Sequence, residues 1–116
     1  MDIKLFDSEL KVMEVLWKEG ELPAGQIARI LKEETGWNRN TTYTVIKKCV
    51  EKGAVQRREP NFICSPLVTK EQVQSQETEE LIDKMFDGSR EDFFASFVNM
   101  ISEDEARKLR NMIDKM

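Results

Sequence analysis

The chain has 116 residues, of which 34% are charged and 40% hydrophobic, with five glycines, three prolines, no histidine and a formal net charge of −4. This is the profile of an ordered, helix-rich protein of one domain, or of a small domain with an appended helical segment. Without histidine there is no His-based catalytic triad and no imidazole metal site, and Cys49 and Cys64 alone cannot build a tetrahedral zinc cage. The scattered glycines form no phosphate-cradling loop. Neither an enzyme nor a cofactor or metal is expected. No stretch approaches the roughly 18 apolar residues of a membrane span. The start Met1-Asp2-Ile3-Lys4 lacks the layout of a secretory signal, so the sequence predicts a cytoplasmic protein with no membrane insertion. In that reducing compartment the two cysteines are expected to be small core residues, not a disulfide.

In chain order, Ser8 with Glu9 opens a first helix whose Leu10, Met13, Leu16 and Trp17 recur at helical spacing, and Gly20 ends it. A short link, Glu21-Leu22, leads to a second helix with Pro23 in its first turn, an apolar stripe of Ile27, Ile30 and Leu31, and an end near Thr35-Gly36. Asn38 caps a third helix that runs to about Lys52 and closes at Gly53. Thr42, Val45, Ile46, Cys49 and Val50 share its inward face, whereas Arg39, Asn40, Tyr43, Thr44, Lys47 and Lys48 point outward. Ala54 to Arg58 and Phe62 to Ser65 read as two short strands turned through Glu59-Pro60-Asn61, where proline presets the turn and asparagine tolerates unusual φ. Three helices and a hairpin within some 60 residues is the order of a winged helix-turn-helix, whose third helix enters the major groove of DNA.

Charge is distributed to match. Residues 1–68 carry 11 Lys/Arg against 10 Asp/Glu, and residues 69–116 carry 7 against 12. Between Trp37 and Arg58, six basic residues (Arg39, Lys47, Lys48, Lys52, Arg57 and Arg58) face one acid, Glu51, so a phosphate-facing surface is expected there. On the third helix, Asn40 can bond adenine through its amide, and Tyr43 can offer its ring to a thymine methyl or its hydroxyl to a phosphate. Thr41 and Thr44 suit phosphate oxygens near the helix N-terminus, and Lys47 and Lys48 add charge without sequence information. Of Arg57 and Arg58 in the wing, one is expected at a phosphate and the other in solvent.

The second half reads as three helices. Thr69, followed by Glu71-Gln72, caps a long polar helix to about Phe86 that carries Val73, Leu81, Ile82, Met85 and Phe86, and Gly88 breaks it. A segment with Phe93, Phe94, Phe97, Val98 and Ile101 follows. Then Ser102-Glu103-Asp104-Glu105 precedes Leu109, Met112, Ile113 and Met116. These stripes cannot bury one another completely, so a second copy is the simplest partner, giving a C2 homodimer. The organisation expected is a mainly α protein with a small β-hairpin: a winged helix-turn-helix domain over 1–68 and a helical dimerisation domain over 69–116. Two alternatives fit the same elements: a winged helix that docks on a protein partner, and a ligand-sensing regulator with an apolar pocket at the domain junction.

Glu9-Leu10-Lys11-Val12-Met13-Glu14-Val15-Leu16-Trp17, the run Trp37 to Lys48 with its Trp-x-x-x-Thr-x-x-Thr core, Glu51-Lys52-Gly53 and Pro66-Leu67-Val68 resemble the penicillinase repressor family. That family includes the repressors of β-lactamase and methicillin resistance and copper-responsive repressors. The resemblance covers almost the whole chain and implies a homodimeric transcriptional repressor on a palindromic double-stranded DNA operator. By motif, Asn40 and Tyr43 take base-reading positions, and Thr41 and Thr44 take backbone-contacting ones. It also implies that a membrane sensor-protease pathway, or a metal, ends repression. The resistance repressors are cut at an Asn-Phe bond in the C-terminal segment, and the matching pair here is Ser96-Phe97, a departure from that motif. The paired Cys-x-Cys motifs of the copper-responsive members have no counterpart after Cys64, which excludes copper sensing by that route.

Overall fold

A computed structural model describes residues 3–116, so Met1 and Asp2 of the start lie outside the described residues. The elements are α1 (Asp7–Glu19), β1 (Leu22–Pro23), α2 (Ala24–Thr35), α3 (Arg39–Glu51), β2 (Val55–Arg58), β3 (Ile63–Pro66), α4 (Lys70–Phe86), α5 (Arg90–Val98) and α6 (Glu103–Asp114). The chain divides into two compact units, one extending to Gln76 and the other Glu77–Met116, so α4 runs through the boundary. None of the described helices is long and apolar enough to cross a membrane.

α1 begins at Asp7, one residue before the expected Ser8 start, with Phe6 as its N-cap. Phenylalanine has no acceptor to offer the first turn. The Glu9 carboxylate instead reaches back and accepts the Phe6 N–H at 2.7 Å, half of a capping box. α2 ends as expected at Gly36, whose φ of 79° is the left-handed conformation that glycine adopts without a Cβ penalty.

Two expectations for the link and the hairpin need correction. Leu22-Pro23 is no plain connection: it forms β1, which pairs antiparallel with β3 (Leu22 opposite Cys64, Pro23 opposite Ile63) and completes a three-stranded sheet of order β1-β3-β2. Pro23 is accordingly the extended N-cap of α2 and not a residue of its first turn. Proline is tolerated there because β1 is an edge strand. In the hairpin, β2 pairs with β3 from Val55 opposite Pro66 to Arg58 opposite Ile63. Phe62 lies in the turn, not in the strand, and shares positive φ with Asn61 (57° and 70°).

Val12, Met13, Leu16, Ile27, Leu31, Ile46, Cys49, Val55 and Cys64 are buried in one core under α1, α2, α3 and the sheet. Both cysteines are free thiols, as expected. Burial, with the nearby Glu9 carboxylate, pushes the Cys49 thiol up to about 12, and burial raises Cys64 as well. Neither is therefore a thiolate at neutral pH. Val50, expected on the inward face, is only half-buried and edges toward the wing. The Trp17 indole N–H donates to the Val68 carbonyl at 2.9 Å and holds the start of α4 against α1.

The most polar contact in this core joins the start of α1 to the end of α3. Glu9 is 1% exposed, and its carboxylate accepts from Lys52 Nζ, the C-cap of α3, at 2.6 Å. The same ammonium donates to the Lys4 carbonyl at 2.6 Å and lies 4.0 Å over the Phe6 ring. Burial alone would raise the Glu9 carboxyl. The hydrogen bonds from Lys52 and the Phe6 N–H, with the charges of Lys52 and Lys48, outweigh it and hold the group below the ordinary 4.5.

In the C-terminal unit the helices are locally well specified. Ser89 caps α5, and Ser102 with Glu105 forms a full capping box on α6. Phe93 packs edge-on to Phe86 at 5.6 Å and stacked with Phe97 at 6.4 Å. Ile82 is buried there, but large apolar side chains stay open to solvent, among them Leu81, Met85, Phe94, Met112 and Ile113.

Replacing Glu9 with Gln should lower stability by about 1–3 kcal/mol at pH 7, because the buried charge-assisted pair is broken while Lys52 retains access to water. A carboxyl depressed in the folded state stabilises fully above its unfolded value of 4.5 and loses that contribution as pH falls through its folded value. Denaturant melts at pH 7 and pH 3 should therefore show the gap between wild type and Glu9→Gln shrinking with acid; a constant gap contradicts the assignment.

Candidate nucleic-acid interface

α3 is built to show one face. Asn38 caps it, its side-chain oxygen accepting from Thr41 N at 2.8 Å, and Gly53 in left-handed conformation follows its last turn. Thr42, Val45, Ile46 and Cys49 lock the opposite face into the core. There is no acidic residue in the first turn, so the free N–H groups and the positive end of the helix dipole are left open to an anion.

The outward residues fall into two groups. Asn40, Lys47 and Lys48 are exposed on α3, and no ion pair engages either lysine among the described residues. The other outward side chains are held by their neighbours. Thr41 Oγ1 donates to Asn38 Oδ1 at 3.0 Å, inside the cap, and Thr44 Oγ1 donates to the Asn40 carbonyl at 2.9 Å. Arg39 Nη2 donates to the Tyr43 hydroxyl at 2.7 Å, with its guanidinium 5.0 Å from the Tyr43 ring. This pair lies over Gly25 of α2, where an added Cβ would meet Arg39 Nη2 at 3.5 Å and the Tyr43 hydroxyl at 3.6 Å.

Tyr43 does not point freely outward: it is half-buried, its ring 5.9 Å from Phe62 in the wing turn. An unsupported tyrosine ring would leave a large apolar area in water, and Phe62 and Arg39 cover part of it. In the wing, the Arg57 guanidinium sits 4.0 Å over the Phe62 ring and 3.8 Å from Glu59. Arg58 Nη2 donates to Glu21 Oε2 at 2.7 Å. Glu21 also accepts from Ser65 Oγ, and the Ser65 hydroxyl and Arg58 together hold its carboxyl below the usual range.

The fold thus redistributes the charge seen between Trp37 and Arg58. Lys52 is neutralised by Glu9 and Arg58 by Glu21, partners far away in sequence. Arg39, Lys47 and Lys48 remain as the cations of α3 without a carboxylate partner among the described residues, with Arg57 weakly paired at the wing. The surface can therefore bind anions along α3 and its N-terminus. Among the described residues, no group of three or more Cys, Asp or Glu side chains is placed to hold a metal ion.

The model of the penicillinase repressor family matches residues 5–115. The methicillin resistance regulatory proteins MecI of Mammaliicoccus sciuri and of Staphylococcus aureus (strain N315) are each 26% identical to the chain over 99% of both lengths. The solution structure of the DNA-binding domain of the repressor BlaI matches 58% of this chain and 84% of its own, at 25% identity and a TM-score of 0.54. The monomeric form of Bacillus licheniformis BlaI, solved in complex with the blaP half-operator, matches over the same shares at a TM-score of 0.53. The chain, whose helices and three-stranded sheet follow the winged-helix pattern, therefore belongs to the penicillinase repressor family, a family of regulators and not of enzymes.

Proposed function

We propose that this repressor binds duplex DNA through α3, as a homodimer on a palindromic operator. The observation that carries the reading is the two-sidedness of α3: one face buried in the core, the other presenting Asn40, Lys47 and Lys48 beside a helix N-terminus with no acidic residue in its first turn. In this reading Asn40 and Tyr43 contact bases. Arg39, Thr41, Thr44, Lys47 and Lys48 contact phosphates, as does Arg57, while Arg58 stays with Glu21 unless that pair opens. A winged-helix domain over 1–68 reads the DNA, and a segment over 69–116 pairs the two copies. The structure of a BlaI with a half-operator supports the choice of DNA over a protein partner for this fold.

Dimerisation through the C-terminal helices is supported by their uncovered apolar side chains: Leu81, Met85, Phe94, Phe97, Val98, Met112 and Ile113 are exposed in the single chain, and Phe86, Phe93, Ile101 and Leu109 are half-buried. A monomer would leave this surface in water. Two copies place their recognition helices one turn of DNA apart, about 34 Å, and occupy successive major grooves. A membrane sensor-protease pathway acting on this chain at Ser96-Phe97 would have to cut inside α5, where Phe97 stacks on Phe93. Proteases bind extended chain, so α5 would first have to unwind there.

A gel shift with the chain's own promoter region tests the assignment. Asn40→Ala should cost about 1–3 kcal/mol on the operator and little on unrelated duplex, as removal of a base-reading amide does. Tyr43→Ala should weaken operator binding while sedimentation still reports a dimer, and unchanged affinity in either variant places the reading face elsewhere. Lys47→Ala should weaken both duplexes alike and flatten the dependence of log K on log salt by about 1 for each phosphate that it no longer neutralises. A wild-type affinity insensitive to salt contradicts the phosphate-contact model.

A further inference from the structure

Between the outward side of α3 and the wing lies a groove of about 920 Å³, at the upper end of the roughly 300–1,000 Å³ typical of small-molecule sites. Its chemistry is that of an amphipathic pocket. Val50, Val55 and Leu67 contribute an apolar floor, and Leu67 is 54% exposed there. Tyr43 and Phe62, their ring centroids 5.9 Å apart, supply aromatic walls. The charged lining is Lys47, Arg57 and Glu51, a surplus of one positive charge. A phosphodiester backbone would use the cations but has nothing to lay on a valine and leucine floor. A flat apolar ring bearing a single negative charge uses both.

We propose that this groove binds a small aromatic monocarboxylate, with its ring on the Val50–Leu67 floor beside Tyr43 and Phe62 and its carboxylate on Lys47 and Arg57. Because Tyr43 and Lys47 belong to the DNA-facing surface proposed above, a bound ligand excludes the duplex. That exclusion rests on the functional reading; the binding itself does not.

The full chain titrated with 2-naphthoate by calorimetry, with backbone amide shifts followed by NMR, tests both parts. Expected are shifts centred on Tyr43, Val50, Val55, Phe62 and Leu67, affinity at least tenfold above that for neutral 2-naphthamide, and at least fivefold weaker binding by Leu67→Ser. Val50→Thr, nearly isosteric at a half-buried position, should weaken binding likewise and stands in if Leu67→Ser fails to fold. Equal affinity for the amide, unchanged affinity in the folded variants, or no shifts in the groove up to the solubility limit overturns the site. In a DNA competition, 2-naphthoate should displace duplex from wild type and fail to do so from Leu67→Ser. Binding of 2-naphthoate in the groove with no effect on DNA affinity overturns the exclusion.

Discussion

The Glu9–Lys52 contact fastens the beginning of α1 to the end of α3, and the placement of the proposed DNA-binding face depends on it. Apolar packing alone fixes which face of a helix turns inward, but it is tolerant of small slides along the axis. A carboxylate 1% exposed, held by an ammonium at 2.6 Å and a backbone N–H at 2.7 Å, is far less tolerant, because any slide leaves a buried charge unpaired. The Lys4 carbonyl and the Phe6 ring gather around the same ammonium. Ile3 in turn exchanges two hydrogen bonds with the Gln76 side chain on α4, so the residues before α1 connect the end of α3 to α4.

The same contact shapes the electrostatics. Lys52 is spent on the interior, and Arg58 is spent on Glu21 at the turn before β1. The positive charge that remains is concentrated on the outward side of α3 and not spread over the wing. This is the distribution expected when the helix does most of the binding and the wing steadies it; in the proposed reading, phosphate affinity would come from Arg39, Lys47 and Lys48, and sequence information from Asn40 and Tyr43. The acidic excess of residues 69–116 is carried by the other unit.

Much of this fold was legible from residue pattern. α3 was readable almost to its ends because its signals are local: an asparagine cap, a 3–4 apolar spacing and a terminal glycine. The threonine cap and the glycine stop of α4 were legible for the same reason. What escaped was non-local or too short to repeat. β1 has two residues and therefore no period, and it exists only because β3 offers an open edge. Phe62 at positive φ contradicts the preference of an aromatic residue for strand, a local cost set against packing on Tyr43 and Arg57. Helical spacing puts Glu9 on the inward face with Val12, Met13 and Leu16, but the cation that lets a carboxylate stay there, Lys52, lies 43 residues away and no local signal names it. Helical periodicity placed Tyr43 outward, with Arg39 one turn before it, but only the fold revealed that Phe62 of the wing flanks it.

Mapping amide shifts of the full chain on titration with duplex from its own promoter region tests most directly whether anchored α3 presents the reading surface. The largest changes are expected from Arg39 to Lys48 and at the Asn40 side-chain amide, with smaller ones at Arg57 and none at Glu9 or Lys52, which stay in their mutual contact. Changes centred on Glu77–Met116, or a duplex that leaves α3 unperturbed, would contradict it.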